Sequence, residues 1–189
     1  MNLYKYHTNP DQLLWYKEAQ TLVPEIFWDG SYKKYTPRQI KAIAKNPEYA
    51  YWYAREAIKD RWPEVEPVIM EDPRWAYMYA SNIIKDRWPE AEPYIMKDPE
   101  WAYYYINELI KNRWPELEPV IMKDPEAAFL YALHVIKDRW PEAEPHIMKH
   151  PEYAHWYASN LIKDRWPEAE PYIKQDKDIW REYKQEFNL

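Results

Sequence analysis

The feature that most constrains this chain is a nine-residue stretch, Lys59-Asp60-Arg61-Trp62-Pro63-Glu64-Val65-Glu66-Pro67. It returns almost unchanged at residues 85–93, 111–119, 137–145 and 163–171, 26 residues apart each time and with no insertion or deletion. A strict period of this length describes a chain that grows by stacking equivalent units, each touching its neighbours, and not by closing around one core. Five full repeats result: 46–71, 72–97, 98–123, 124–149 and 150–175.

Each repeat opens on a cap-proline pair: Asn46-Pro47, Asp72-Pro73, Asp98-Pro99, Asp124-Pro125 and His150-Pro151. Asn and Asp accept hydrogen bonds from the first helical turn, and proline suits the first helical position, where its missing N–H has no partner. The spacing predicts a helix A of about three turns from Pro47 to about Lys59, with Ala50, Tyr53, Ala54 and Ala57 on one buried stripe that Ile58 widens. Helix A is expected to stop near Asp60. Asp or Asn, which tolerate the left-handed conformation, stand there in place of a C-cap glycine. Trp62 precedes a proline and is pushed towards an extended conformation. Helix B is expected from about Pro63-Glu64 for two turns, with Trp62, Val65 and Ile69 as its apolar side.

The ends depart from the pattern. Residues 1–45 read as an irregular N-terminal cap holding decayed repeats. Asn9-Pro10 overlays Asn46-Pro47 and brings Trp15 and Tyr16 over Trp52 and Tyr53. Pro24-Glu25 falls two residues early, Asp29-Gly30-Ser31 is a turn, and a second decayed unit ends at Lys45. At the other end Asp176-Lys177-Asp178 loses the proline. Residues 176–189, with Trp180, Tyr183 and Phe187 at helical spacing, read as a capping helix that hides the last unit's apolar face. The expected fold is therefore all-α: an α-solenoid of tandem 26-residue helix-turn-helix repeats in 46–175, capped by 1–45 and 176–189.

Composition supports rigid breaks and excludes several classes. One glycine, Gly30, against 18 prolines leaves no flexible linker. Aromatics at 18% are too many for a disordered chain. The net charge of −6 arises from 32 acidic and 26 basic residues mixed along the chain, without the basic stripe of a phosphate-backbone binder. The absence of cysteine excludes disulfides and thiolate chemistry. No apolar run reaches membrane-spanning length and the first residues carry no secretory h-region, so a cytoplasmic protein without a membrane partner is expected.

Asp98-Pro99-Glu100-Trp101-Ala102-Tyr103-Tyr104-Tyr105, followed by Arg113-Trp114-Pro115-Glu116-Leu117-Glu118-Pro119, resembles short two-helix tandem repeats of bacteriophage and some giant-virus proteins. The opening Met1-Asn2-Leu3-Tyr4-Lys5-Tyr6-His7-Thr8-Asn9-Pro10 looks like the leader of such phage proteins. The resemblance covers 46–175 well and the remainder loosely. In kind it is similar to tetratricopeptide and HEAT arrays, at a shorter period. It implies an α-helical scaffold that binds other macromolecules, a phage-encoded factor that inhibits or redirects a host defence protein being one form, in the host cytoplasm. It brings no catalytic residues.

Several constellations have both a chemical and a structural reading. Arg61, Arg87, Arg113, Arg139 and Arg165 would form a row in a stack, either an anion clamp or a salt-bridge ladder with the glutamates beside them; the ladder is favoured. The glutamates offer one environment five times, whereas acid–base catalysis needs two carboxyls in different environments. No enzyme activity and no cofactor are expected. His134, His146, His150 and His155 crowd the fourth and fifth repeats, where drift at tolerant positions outweighs a metal site.

Positions that stay fixed between copies belong to the scaffold, so function is sought where the copies disagree. Positions 49, 52 and 56 vary and share one face of helix A. Stacked, they give a ribbon of Tyr49, Trp52, Trp75, Met78, Trp101, Tyr104, Leu130, Tyr153 and Trp156, which either packs between repeats or faces a partner. The fourth repeat departs furthest, with Ala127, Leu130, Leu133 and His134 marking a notch for a partner's anchor. A protein partner is expected; a nucleic-acid-binding or nucleic-acid-mimicking solenoid is the alternative.

Overall fold

The computed structural model describes residues 36–189. The expected first decayed unit (Asn9-Pro10, Trp15, Tyr16, Pro24-Glu25) and the Asp29-Gly30-Ser31 turn lie outside the described residues. Among the described residues all regular structure is helical, and no helix is long and apolar enough to cross a membrane. The chain forms two compact units, Met1–Ile84 and Lys85–Leu189.

In the first unit, α1 (Pro37–Ile43), α2 (Pro47–Tyr53), α3 (Glu66–Met70) and α4 (Pro73–Tyr79) succeed one another. Thr36 starts α1 with a capping box, its hydroxyl accepting from the Gln39 N–H while Gln39 reaches back to the Thr36 amide. Ile43 stands one period before Ile69, and both are buried, so the register of the array extends back by one helix. In the second unit, α6 (Pro99–Tyr105), α8 (Pro125–Tyr131), α10 (Pro151–Tyr157) and α12 (Lys177–Glu186) lie side by side as successive A helices. The short B helices α5 (Glu92–Ile95), α7 (Glu118–Ile121), α9 (Glu144–Ile147) and α11 (Glu170–Ile173) pack against them.

The cap residues act as the sequence requires. Asn46, Asp72, Asp98, Asp124 and Asp176 each accept from amides of the following turn; His150 makes no such bond. The stripe is centred on Ala50, Ala76, Ala102, Ala128 and Ala154, all fully buried, where only a small methyl group has to be accommodated. Tyr79, Tyr105, Tyr131 and Tyr157 fill the next turn and are inaccessible. The closing helix α12 continues this register: Tyr183 falls one period after Tyr157 and is likewise buried, between half-buried Trp180 and Phe187.

Three local expectations need correction. First, the left-handed residue is not Asp60 or its equivalents but the lysine before it: Lys59, Lys85, Lys111, Lys137 and Lys163, with φ of 60°, 60°, 56°, 62° and 58°. The aspartate or asparagine has another task, its Oδ1 accepting from the next amide, as Asp60 does from Arg61 at 2.7 Å. Second, helix A has the expected length, but its last turn is a π turn: Ala54–Ile58, Ala80–Ile84, Ile106–Ile110, Ala132–Ile136 and Ala158–Ile162. The lysine amide closes it by donating five residues back, as Lys59 does to Ala54 at 2.7 Å. A turn closed this way holds an extra residue and rotates the last side chains of the helix off the 3.6-residue stripe. Ala57 and its equivalents are consequently only half-buried, and Ile58 is 38% exposed. Third, the α-helical part of helix B starts at Glu66 and its equivalents, three residues later than expected. A helix starting at Pro63 would set the Pro67 ring against the carbonyl four residues back; starting at Glu66 keeps Pro67 in the first turn. Pro63–Val65 instead make a 3-10 turn in the first copy.

Candidate functional site

Two parts of the repeat carry polar or aromatic side chains in an ordered array: the corner between helices A and B, and the outer face of helix A.

At the corner, Arg61 Nε and Nη2 donate to Glu66 Oε1 and Oε2, both at 2.8 Å. The Trp62 N–H donates to Tyr79 Oη at 2.6 Å, and the Tyr79 hydroxyl donates to Glu66 Oε1 at 3.1 Å. A tyrosine of the next repeat thus satisfies the amide that the Trp-Pro step leaves outside both helices, and directs its own proton to the glutamate that the arginine grips. The second unit repeats the arrangement with Arg87, Trp88, Glu92 and Tyr105, then one and two periods on. In the last copy Tyr183 of α12 accepts from the Trp166 N–H at 2.6 Å, so the closing helix completes the final corner. The ladder expected from the arginine row is therefore real inside each repeat. It uses the second glutamate and not the first, and its link to the next repeat is a phenol, not an ion pair. Burial raises these phenols, Tyr131 to about 12, with the neighbouring Glu118 adding to the shift and the Trp114 amide opposing it.

On the outer face the expected ribbon divides. Tyr49, Trp75 and Ala127 are buried; Trp52, Met78, Trp101, Tyr104, Leu130, Leu133 and Tyr153 are half-buried; His134 is exposed, and Trp156 is 41% exposed. In the first unit the rings close on one another: Trp75 lies 5.3 Å from Tyr51 and 6.5 Å from Trp52, and the Arg74 guanidinium covers Trp75 at 4.7 Å. In the second unit Tyr153 packs on Phe129 at 6.4 Å and donates to Glu126 at 2.8 Å, while Trp156 stands 6.0 Å from Phe129 with its outer side in solvent. Between α6 and α8 the small Ala127 leaves a cavity of about 60 Å³, walled by Tyr103, Tyr104, Ala127 and Leu130, with the carboxylates of Glu100, Asp124 and Glu126 beside it.

Between the alanine stripe and the ribbon lies a layer that the apolar spacing did not single out: Tyr51, Tyr77, Tyr103, Phe129 and His155 are all buried. Four aromatic residues in five copies were the available signal. One histidine, His155, belongs to this layer, and a second, the exposed His134, reaches it from the outer face. His134 Nδ1 meets the Tyr103 hydroxyl at 2.7 Å. His155 replaces the ring of the other copies, with Nε2 2.7 Å from Glu186 Oε2 of α12 and Nδ1 buried without a hydrogen-bond partner. Each histidine therefore answers a polar group on a neighbouring helix. Among the described residues no group of three His, Asp or Glu side chains is arranged to hold a metal ion.

Fold and site together define an all-α helical-repeat protein with an aromatic outer face. No protein-family model, curated protein or solved structure matches the chain.

Proposed function

We propose that this chain is a non-catalytic, protein-binding repeat scaffold whose interface is the outer face of the A helices. One observation carries the reading. The A helices of the second unit present Tyr104, Leu130, Tyr153 and Trp156 as partly accessible apolar groups, and Tyr104 and Leu130 line an open groove. Aromatic surface interrupted by a pocket is the composition of an interface centre, where a few rings supply most of the binding energy. The corner residues, by contrast, are engaged with one another, Arg61 gripping the Glu66 carboxylate that the next repeat's Tyr79 also contacts. The resemblance to phage and giant-virus repeats suggests a host protein as the partner, with a defence protein as the first to try.

The test is affinity capture with the full chain, compared with a Tyr104→Ala, Leu130→Ala, Trp156→Ala variant whose melting midpoint is checked first. Partners recovered by the natural chain and lost by the folded variant support the interface. Recovery of the same partners in the same amounts by both would remove it. Binding to labelled DNA or RNA that falls with salt would move the protein to the nucleic-acid class.

A further inference from the structure

Three equivalent grooves between neighbouring A helices, each inside a single unit, can be compared residue by residue. In the first unit the groove between α2 and α4 is filled from within. Trp75 lies over Tyr51 and Trp52, and Arg74 covers Trp75 beside Glu48 and Asp72. Burial pushes the Glu48 carboxyl up and the Arg74 charge pulls it back. Between α8 and α10 the groove is filled by Tyr153, which packs on Phe129. Between α6 and α8 the same positions read Tyr103 and Tyr104 for the floor, Ala127 in place of Trp75, and Glu126 in place of Arg74. At these two positions, among the described residues, the groove therefore lacks both the flat group and the cation that its counterpart in the first unit contains.

What remains is an open cavity with two tyrosine rings 5.1 Å apart and three carboxylates. None of its seven lining residues is basic. Asp124 Oδ1 accepts from its own helix at the Ala127 amide at 2.8 Å, and Glu126 Oε2 accepts from the neutral Tyr153 hydroxyl at 2.8 Å. Neither makes an ion pair among the described residues. Glu100 and Glu126 both bear on Tyr104, whose hydroxyl is raised first by burial and then by these charges.

We infer that the groove between α6 and α8 receives an arginine side chain of the protein partner, its guanidinium lying on Tyr103 and Tyr104 and pairing with Asp124 and Glu126. This rests on the scaffold reading above. A guanidinium is the one natural side-chain group that replaces both missing parts, being planar enough to stack on a ring and charged with forked donors that match carboxylates. An ammonium supplies the charge without the plane, and a phenyl ring supplies the plane without the charge.

The probe is the tripeptide acetyl-Gly-Arg-Gly-amide, titrated at low salt into the full chain while the ring resonances of Tyr103 and Tyr104 are followed. Its controls are the same peptide with neutral, isosteric citrulline, and free methylguanidine. The arginine peptide should shift both rings saturably, and the citrulline peptide should bind about tenfold more weakly, the loss of one charge-assisted and cation–π contact. Ala127→Trp, which restores the ring of the first unit, and Glu126→Arg, at an exposed position and copied from Arg74, should each abolish the shifts. Two variants are used so that one survives if the other misfolds. Equal binding of arginine and citrulline peptides, or shifts that persist in both variants, overturns the inference. Methylguanidine binding as tightly as the peptide overturns a partner's side chain in favour of a free guanidinium compound.

Failure here is separable from failure of the scaffold reading. Tyr104-dependent capture with equal arginine and citrulline binding removes the arginine alone. Arginine binding with no Tyr104-dependent capture removes the partner, and this inference with it.

Discussion

The A–B corner and the outer face of helix A are built from the same 26-residue unit, yet one is copied nearly letter for letter and the other changes at every copy. The difference arises from how many partners each residue has. At the corner, Arg139, Trp140, Glu144 and Tyr157 satisfy one another in a closed set, so altering one member strands the rest. On the face, ring meets ring or ring meets solvent, and a change of Trp to Tyr or Ala costs area but strands no polar group. At the corner, identity between copies therefore marks mutual hydrogen bonding, and on the face, divergence marks ring contacts that each copy makes in its own way.

Four measurements test this contrast. The largest effect belongs to Tyr157→Phe, which leaves the buried Trp140 N–H without its acceptor; it should cost about 2 kcal/mol in chemical denaturation. The buried corner phenols also give an alkaline limit. Their folded values lie above the unfolded value of about 10, so their contribution is complete below pH 10 and is lost as pH rises towards the folded value, about 12 for Tyr131.

Lys137→Gly should act in the opposite direction. Lys137 sits at φ 62°, where a Cβ is disfavoured, and glycine should raise stability by about 0.5–1 kcal/mol after its own entropic cost. An unchanged or lower urea midpoint would mean that the lysine stem contributes packing that outweighs the strain.

His155→Phe copies Phe129 into the last repeat and tests the pair with α12. Burial works to raise the Glu186 carboxyl, but hydrogen bonds with His155 and Ser159 and the attraction of His155 outweigh it and hold the group below its ordinary value. Its contribution is therefore present above the unfolded carboxylate value and lost as pH falls through the lower folded one. With the Glu186 side chain 44% exposed and screened, the pair should be worth about 0.5 kcal/mol. Stability profiles between pH 3 and 6 should show this acid loss in the natural chain and not in the variant.

The smallest effect belongs to Tyr153→Phe, on the same helix as Tyr157. Its bond to Glu126 is exposed, and the change should stay below about 0.5 kcal/mol. If Tyr153→Phe and Tyr157→Phe cost the same, the distinction between corner and face fails.

Much of the fold was legible in the residues, because local rules act within four positions. The cap-proline pairs start the A helices, the 26-residue period gives the register, and Ala50, Ile69 and their equivalents occupy the buried stripe. The small Ala127 in a series of rings already marked the place where the groove lies open. Other features depend on what the next repeat brings. The partner of the Trp62 amide is a tyrosine 17 residues ahead, and no local rule selects it. The left-handed lysine comes from a π turn that the apolar spacing does not distinguish from an α turn, since both bury the same alanine and tyrosine. The partner of His155, Glu186, is 31 residues ahead and is brought to it only by α12. The sequence alone determined the elements and their period, because caps, prolines and periodicity work through the chain's nearest bonds. The tertiary structure decided which repeated side chains are spent on the neighbour and which groove is left for something else. That choice depends on packing distances between helices, which a linear sequence does not contain.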